Sequence, residues 1–170
     1  HLKGSINIGL DGRYATWAGT MLDKQAPILV IAEDDERIEE AMIRLGRIGF
    51  DQVKGFLKDG LMSFTDRPEL VSQTKRISAQ ALKELDEKAT IIDIRSGSEW
   101  ESGHIVDSIN IPLNELPERL TEIPRDQTVI VHCQGGYRSA IAASLLEKQG
   151  YENVLDLVGG YKAWLTTVAT

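Results

Sequence analysis

Apolar positions along this chain fall into two patterns. Short continuous runs stand at Ile28–Ala32, Thr90–Ile94, Thr128–His132 and Asn153–Val158, the form taken by strands covered on both faces of a parallel sheet. Between them lie stretches with helical spacing. Ser78 is placed to cap a helix with the apolar stripe Ala81, Leu82 and Leu85. Further helices are predicted over Arg37–Ile48, Ser139–Gln149 with Gly150 as its C-terminal cap, and Gly160–Leu165. Ser63–Thr74, containing Thr65-Asp66-Arg67-Pro68, reads as a connector. Strands alternating with helices predict an α/β fold with a parallel sheet.

The pattern occurs twice. His1 to Ile8 aligns with His104 to Ile111, and five of the eight positions are identical. Ile28–Ala32 aligns with Val129–Cys133, and the alignment continues without a gap. Arg37 meets Arg138, Ala41 meets Ala142, Leu45 meets Leu146, Gly49 meets Gly150, Phe50 meets Tyr151 and Val53 meets Val154. A period of about 100 residues suits a duplicated domain rather than a solenoid. The second copy is complete. The first starts at the counterpart of His104 and has nothing matching Arg76–Gly103, so it lacks a helix and an inner strand. A parallel sheet without that strand leaves backbone groups unpaired. The expectation is a piece of a longer protein, its missing part removed, carried on another chain or replaced by a neighbour. The domains read as 1–64 (incomplete), 65–74 (linker) and 75–170 (complete).

Composition narrows the function. A net charge of −7 over 170 residues argues against a binder that tracks nucleic-acid phosphates. No apolar run is long enough for a membrane span. One cysteine rules out an internal disulfide framework, and three scattered histidines give no metal-ligand spacing. A lone reactive cysteine suits a reducing compartment, so a cytoplasmic location is expected.

The candidate chemistry lies in Cys133-Gln134-Gly135-Gly136-Tyr137-Arg138-Ser139. The segment joins a strand to a helix, at the carboxyl edge where α/β sheets place their sites. Two glycines let successive amides turn inward as a nest, a helix start lies behind them, and Arg138 adds positive charge. These features favour a thiolate at Cys133, hence a nucleophile and sulfur acceptor. The simpler interpretation is a buried structural cysteine beside a tight turn. The Gly-Gly pair, the arginine and the strand–loop–helix context weigh against it. Asp93, Arg95 and Glu99 read as ion-paired scaffolding, and His104 and Trp164 as packing residues. His132 points to the opposite strand face from Cys133 and reads as structural. Tyr137 either lines or covers the pocket.

The loop resembles the rhodanese signature Cys-x-x-Gly-x-Arg-Ser/Thr. Two further rhodanese marks stand in order: Asp93-x-Arg95-x-x-x-Glu99-Trp100-x-x-Gly103-His104-Ile105, and Gly159-Gly160-x-x-x-Trp164. The resemblance spans the whole second copy. It implies an α/β rhodanese-like parallel sheet flanked by helices, duplicated, with the first copy truncated at its N-terminus. It also implies a sulfurtransferase with Cys133 and Arg138 as catalytic residues and Gln134, Gly135, Gly136, Tyr137 and Ser139 binding the substrate. Donors would be thiosulfate or a glutathione- or coenzyme A-type persulfide, and acceptors thiols or cyanide. No metal or organic cofactor is expected in this chain. Tyrosine-phosphatase-type loops place five residues between Cys and Arg; here there are four, which suits a sulfur atom better than a phosphoryl group. A Cys-dependent phosphatase or arsenate reductase, and a non-catalytic binding or regulatory module, remain the alternatives.

The first copy carries Ala32 in place of the cysteine, followed by Glu33, Asp34, Asp35 and Glu36. Four carboxylates repel an anionic donor, and they also suit the positive end of the next helix. Tyr14-Ala15-Thr16-Trp17-Ala18-Gly19-Thr20 resembles the inactive segment of fusions in which a metallo-β-lactamase-fold domain precedes two rhodanese repeats. That likeness implies an upstream domain, commonly a non-haem iron persulfide dioxygenase, with its iron site outside this chain. Two-domain thiosulfate sulfurtransferases share the dead–live order, but their linkers are longer and their active loop usually lacks the arginine.

Overall fold

A computed structural model describes residues 1–85 and 88–169; Thr170, the expected end of the second domain, lies outside the described residues. The chain forms two compact units. One comprises His1–Lys3 and Ile8–Ser72; the other comprises Gly4–Asn7 and the chain from Gln73 onward.

The first unit runs α1 (Tyr14–Met21), β1 (Ile28–Val30), α2 (Asp35–Gly46) and β2 (Val53–Phe56). The strands pair in parallel, Ile28 with Val53 and Val30 with Phe56. Tyr14, Ala18, Val30, Ala41, Leu45 and Phe50 form its core. The distinctive stretch from Tyr14 is thus a core helix. Asp34 caps α2 by accepting from Arg37 N at 2.8 Å, and Asp35 and Glu36 fill the first turn. Here the acidic run serves the helix end, as helix electrostatics favours. Among the described residues β1 pairs with β2 alone. Leu29 is 72% exposed and Phe56 50%. The predicted connector is partly built into this unit: Val71 bridges Leu2 in antiparallel fashion, and Lys3 N donates to Leu70 O at 2.8 Å.

The second unit runs β3 (Lys75–Ile77), α3 (Ala79–Lys83), β4 (Ala89–Asp93), α4 (Gly97–Glu101), β5 (Ile109–Asn110), β6 (Thr128–His132), α5 (Tyr137–Lys148), β7 (Val154–Leu157) and α6 (Gly160–Val168). Its sheet is parallel throughout, ordered β3-β7-β6-β4-β5. The fold is the expected α/β parallel sheet flanked by helices. β6 lies at the centre because Val129, Ile130 and Val131 are apolar on both faces and fully covered. Each such side chain contributes about 2 kcal/mol when wholly buried. Ser78 caps α3 as expected, accepting from Ala81 N at 3.1 Å. The buried stripe is Ala79 and Leu82, whereas Ala81 faces outward. A helix this short turns one edge inward, and the 79/82 spacing wins that edge. α5 starts at Tyr137 instead of Ser139, because Gly136 takes a left-handed φ of 110° and turns the loop straight into the helix.

Candidate active site

Strand β6 delivers Cys133 to the carboxyl edge of the sheet, where the residue is 2% exposed. Alternation along the strand sends His132 to the opposite face, with its ring 6.3 Å from that of Tyr161 in α6. Burial pushes the His132 imidazole below its usual range, against the pull of Asp93, whose Oδ2 lies 3.7 Å from Nε2. His132 is a neutral packing residue, as its strand position suggests.

The loop after Cys133 is shaped by what holds its carbonyls. Tyr161 N donates to Cys133 O at 2.8 Å and Lys162 N to Gln134 O at 3.2 Å. The first turn of α6 thereby turns these oxygens away from the sulfur. On the other side Gly136 N donates to Cys133 Sγ at 3.1 Å, the contact that stabilises negative charge on sulfur. Ser139, fully buried, has its Oγ 3.8 Å from Cys133 Sγ and donates to Gly136 O at 3.0 Å. Gln134 and Gly135 form an exposed crest, and Gly136, Tyr137 and Arg138 are half-buried. The predicted site residues are therefore contiguous along one strand–loop–helix turn, with Cys133, Gly136 and Ser139 in direct contact.

The paired glycines after β7 have a steric cause. A Cβ on Gly160 would lie 2.3 Å from Cys133 O, and Gly160 has a φ of +58°. Only a residue without a side chain lets α6 come close enough to hold the loop. The first unit repeats this device: a Cβ on Gly60, at φ +52°, would lie 2.5 Å from Ala32 O. Asp59, before it, shares the left-handed backbone of Gly159.

Charges brace the site from β4 and α4. Arg138 meets Glu99 bidentately, 2.7 Å for each nitrogen–oxygen pair. Hydrogen bonds from Arg138, and then from Ser96, bring the Glu99 carboxyl down to about 2 despite partial burial. Arg138 is held above its usual range, chiefly by Glu99 and in part by the adjacent Cys133. Asp93 and Arg95, almost wholly buried, pair at 2.6 Å. Arg95 also donates to Gly103 O at 2.7 Å and to Gln134 Oε1 at 3.4 Å, and its guanidinium lies 4.0 Å from the Tyr161 ring centroid. Arg95 thus ties the active loop to α6 and to the β4–α4 turn. Trp100 and His104 stack at 3.9 Å, and Trp164 packs against the core beside α3. These residues are the scaffold their positions suggested.

Sequence reasoning passed over Asp156. It is 3% exposed, and its Oδ1 meets no hydrogen-bond partner among the described residues. Its signal was legible as one acid inside the apolar run Val154–Val158. Among the described residues no three metal-ligating side chains gather in one place. No described helix is long and apolar enough to cross a membrane.

Comparison with known proteins places this geometry. The rhodanese-like domain family profile matches residues 78–167. A sulfurtransferase of Allochromatium vinosum is 41% identical over 78 residues, which is 46% of this chain and 73% of that protein. Thiosulfate sulfurtransferase GlpE of Pseudomonas syringae pv. syringae is 34% identical over 57% of this chain and 92% of its own length. The chain covers 61% of the length of another relative, the uncharacterized protein YqhL of Bacillus subtilis, at 44% identity over 45% of this chain. Among solved structures, a rhodanese-related protein from Thermoplasma volcanium superposes with a TM-score of 0.52 at 36% identity, over 55% of this chain and 92% of its own.

Proposed function

The chain belongs to the rhodanese-like domain family through residues 78–167, and from that premise we propose that Cys133 carries sulfane sulfur between a small donor and a thiol acceptor. The observation that carries this reading is the Gly136 amide aimed at Cys133 Sγ at 3.1 Å, with the neighbouring carbonyls drawn off by α6. The Cys133 thiolate attacks the outer sulfur of thiosulfate, or of a glutathione- or coenzyme A-type persulfide. A new S–S bond forms to Cys133 as the donor S–S bond breaks, and the leaving group departs with the bonding pair as sulfite or a thiolate. The terminal sulfur of the resulting persulfide is anionic and rests against the loop from Gln134 to Ser139. A thiolate acceptor, or cyanide, then attacks that sulfur and returns Cys133 as thiolate. The step uses no metal and no organic cofactor from this chain. Arg138 is matched by Glu99, so it braces the loop and supplies only a shared charge to the anion.

The first unit reads as a degenerate copy of the same fold, supported by the recurring glycine approach at Ala32 and by β2 and β7 starting at the aligned residues Val53 and Val154. Ala32 leaves it without a nucleophile. The exposed Leu29 and Phe56 support completion of this copy by further polypeptide, from an upstream domain or a second chain. Their counterparts in the second unit, Ile130 and Leu157, are fully buried. A module of a sulfide- or persulfide-metabolising fusion in the cytoplasm fits this reading.

The test is incubation with thiosulfate, then mass analysis of the peptide holding Cys133. One added sulfur that a thiol or cyanide removes is expected. No adduct, with phosphate-ester or arsenate turnover at Cys133 instead, would overturn the assignment.

A further inference from the structure

Both arginines of the site are already matched. Arg138 commits its two terminal nitrogens to Glu99, at 2.7 Å each, and Arg95 is held by Asp93 at 2.6 Å. Each pair is neutral overall, and the chain as a whole carries −7. The small donors of the sulfur-transfer reading are anions, so the charge that attracts them to the mouth of the site comes from another residue.

Lys162 stands where such a charge acts. It lies in the first turn of α6, and its amide donates to Gln134 O at 3.2 Å, so its backbone abuts the exposed crest of the active loop. Helix side chains lean toward the helix N-terminus, which in α6 is the end that holds the Cys133 and Gln134 carbonyls. Gly159 and Gly160, just before it, have no side chains to stand between. Lys162 is exposed, like Gln134 and Gly135, and among the described residues its ammonium meets no carboxylate. The first unit, which has no nucleophile, carries a neutral residue at the corresponding place: Met62, two residues after Gly60, 74% exposed.

We infer that Lys162 is a specificity-determining residue of this site. Its ammonium receives the anionic end of the donor, the sulfonate of thiosulfate or a carboxylate or phosphate of a larger persulfide, while the outer sulfur faces Cys133. The site therefore takes anionic reagents in preference to neutral ones of like reactivity. This deepens the sulfur-transfer reading and rests on it for its purpose, but its readout does not depend on sulfur transfer.

The experiment compares alkylation of Cys133 by iodoacetate and by iodoacetamide, on the whole chain at about 0.1 M salt. Both reagents are attacked at the same kind of carbon and release iodide, and they differ by one negative charge. Their rate ratio reads the potential at the mouth, and any change in the thiolate fraction cancels. Lys162→Gln is expected to lower the ratio of iodoacetate to iodoacetamide about threefold, and Lys162→Glu about tenfold. Lys162→Arg should keep the wild-type ratio, and about 1 M salt should remove the differences. Lys148→Gln makes the same change in net charge at the far end of α5, about 16 Å along the helix from Tyr137, and should also keep the wild-type ratio. Lys162 is exposed, so its substitutions leave the fold in place. An unchanged ratio in Lys162→Gln overturns the proposal. An equal fall in Lys148→Gln overturns it as well, because net charge rather than position would then be read. Thiosulfate loading on the same samples separates the two claims. A lowered ratio in a protein that loads no sulfur leaves Lys162 as the anion-selecting residue and removes the sulfur-transfer reading, whereas loading with an unchanged ratio does the reverse.

Discussion

Arg138 and Glu99 lock together through two parallel contacts of 2.7 Å, joining the active loop to helix α4. The two residues come from separate signature segments, and each alone is an ordinary surface charge. Together they tie the first turn of α5 to α4. Glu99 is bound in turn by the Ser96 amide and hydroxyl, a capping box that ends in the active site.

If the pair braces the loop, removing Arg138 alone leaves a carboxylate facing the persulfide anion. Arg138→Ala is expected to slow sulfur loading by about a hundredfold, and Arg138→Ala with Glu99→Ala by about tenfold. Single-turnover loading from thiosulfate checks this double-mutant cycle. A double variant slower than the single would show that Arg138 acts as a free anion-binding charge.

The Glu99 carboxyl titrates near 2 in the fold, against 4.5 without its partners. A depressed carboxylate contributes stability that is fully present above the unfolded value and is lost as pH falls through the folded one. The gap in melting temperature between wild type and Glu99→Gln should therefore be constant above about pH 4.5 and close as pH approaches 2. Melts across that window measure it, and a gap that widens on acidification would contradict the assigned ion pair.

Gly160 is expected to tolerate no side chain. An alanine there meets Cys133 O at 2.3 Å and keeps an unfavourable backbone angle. The cost should be about 3 kcal/mol in urea unfolding, at the upper end for a single substitution. Sulfur loading should fall further than stability explains, because α6 can no longer hold the Cys133 and Gln134 carbonyls. Normal loading in Gly160→Ala would remove α6 from the account of the site.

A thiol alone should not revive the first unit. Ala32→Cys, made in the Cys133→Ser background, is expected to take no sulfur from thiosulfate. Glu33 to Glu36 follow it where the second unit has Gln134, Gly135, Gly136 and Tyr137. An adduct on residue 32 would show that the acidic loop is no barrier.

Four of the strands were legible because buried parallel strands leave unmistakable apolar runs, whereas the short β3, α4 and β5 leave none. Four runs at Ile28, Thr90, Thr128 and Asn153 all became strands within one or two residues. The Cys133 loop was legible for a related reason, since nucleophile, glycines and arginine are contiguous and need no long-range contact to stand together. The helix face of α3 was misjudged at Ala81, since a single turn of helix carries too few residues to define a stripe.

What the sequence determined by itself was a strand–loop–helix with one thiol at its tip, set in a repeat whose other copy has none. Which groups surround that thiol was a tertiary decision. Glu99 lies 39 residues from Arg138, and Asp156 stands opposite Val131 because β7 pairs with β6. Gly160 matters only because helix α6 returns to the end of the central strand. Periodicity reports which side of an element is buried, but charge pairing and close backbone approach depend on which elements become neighbours, and a parallel sheet fixes those neighbours through crossovers that no local pattern records.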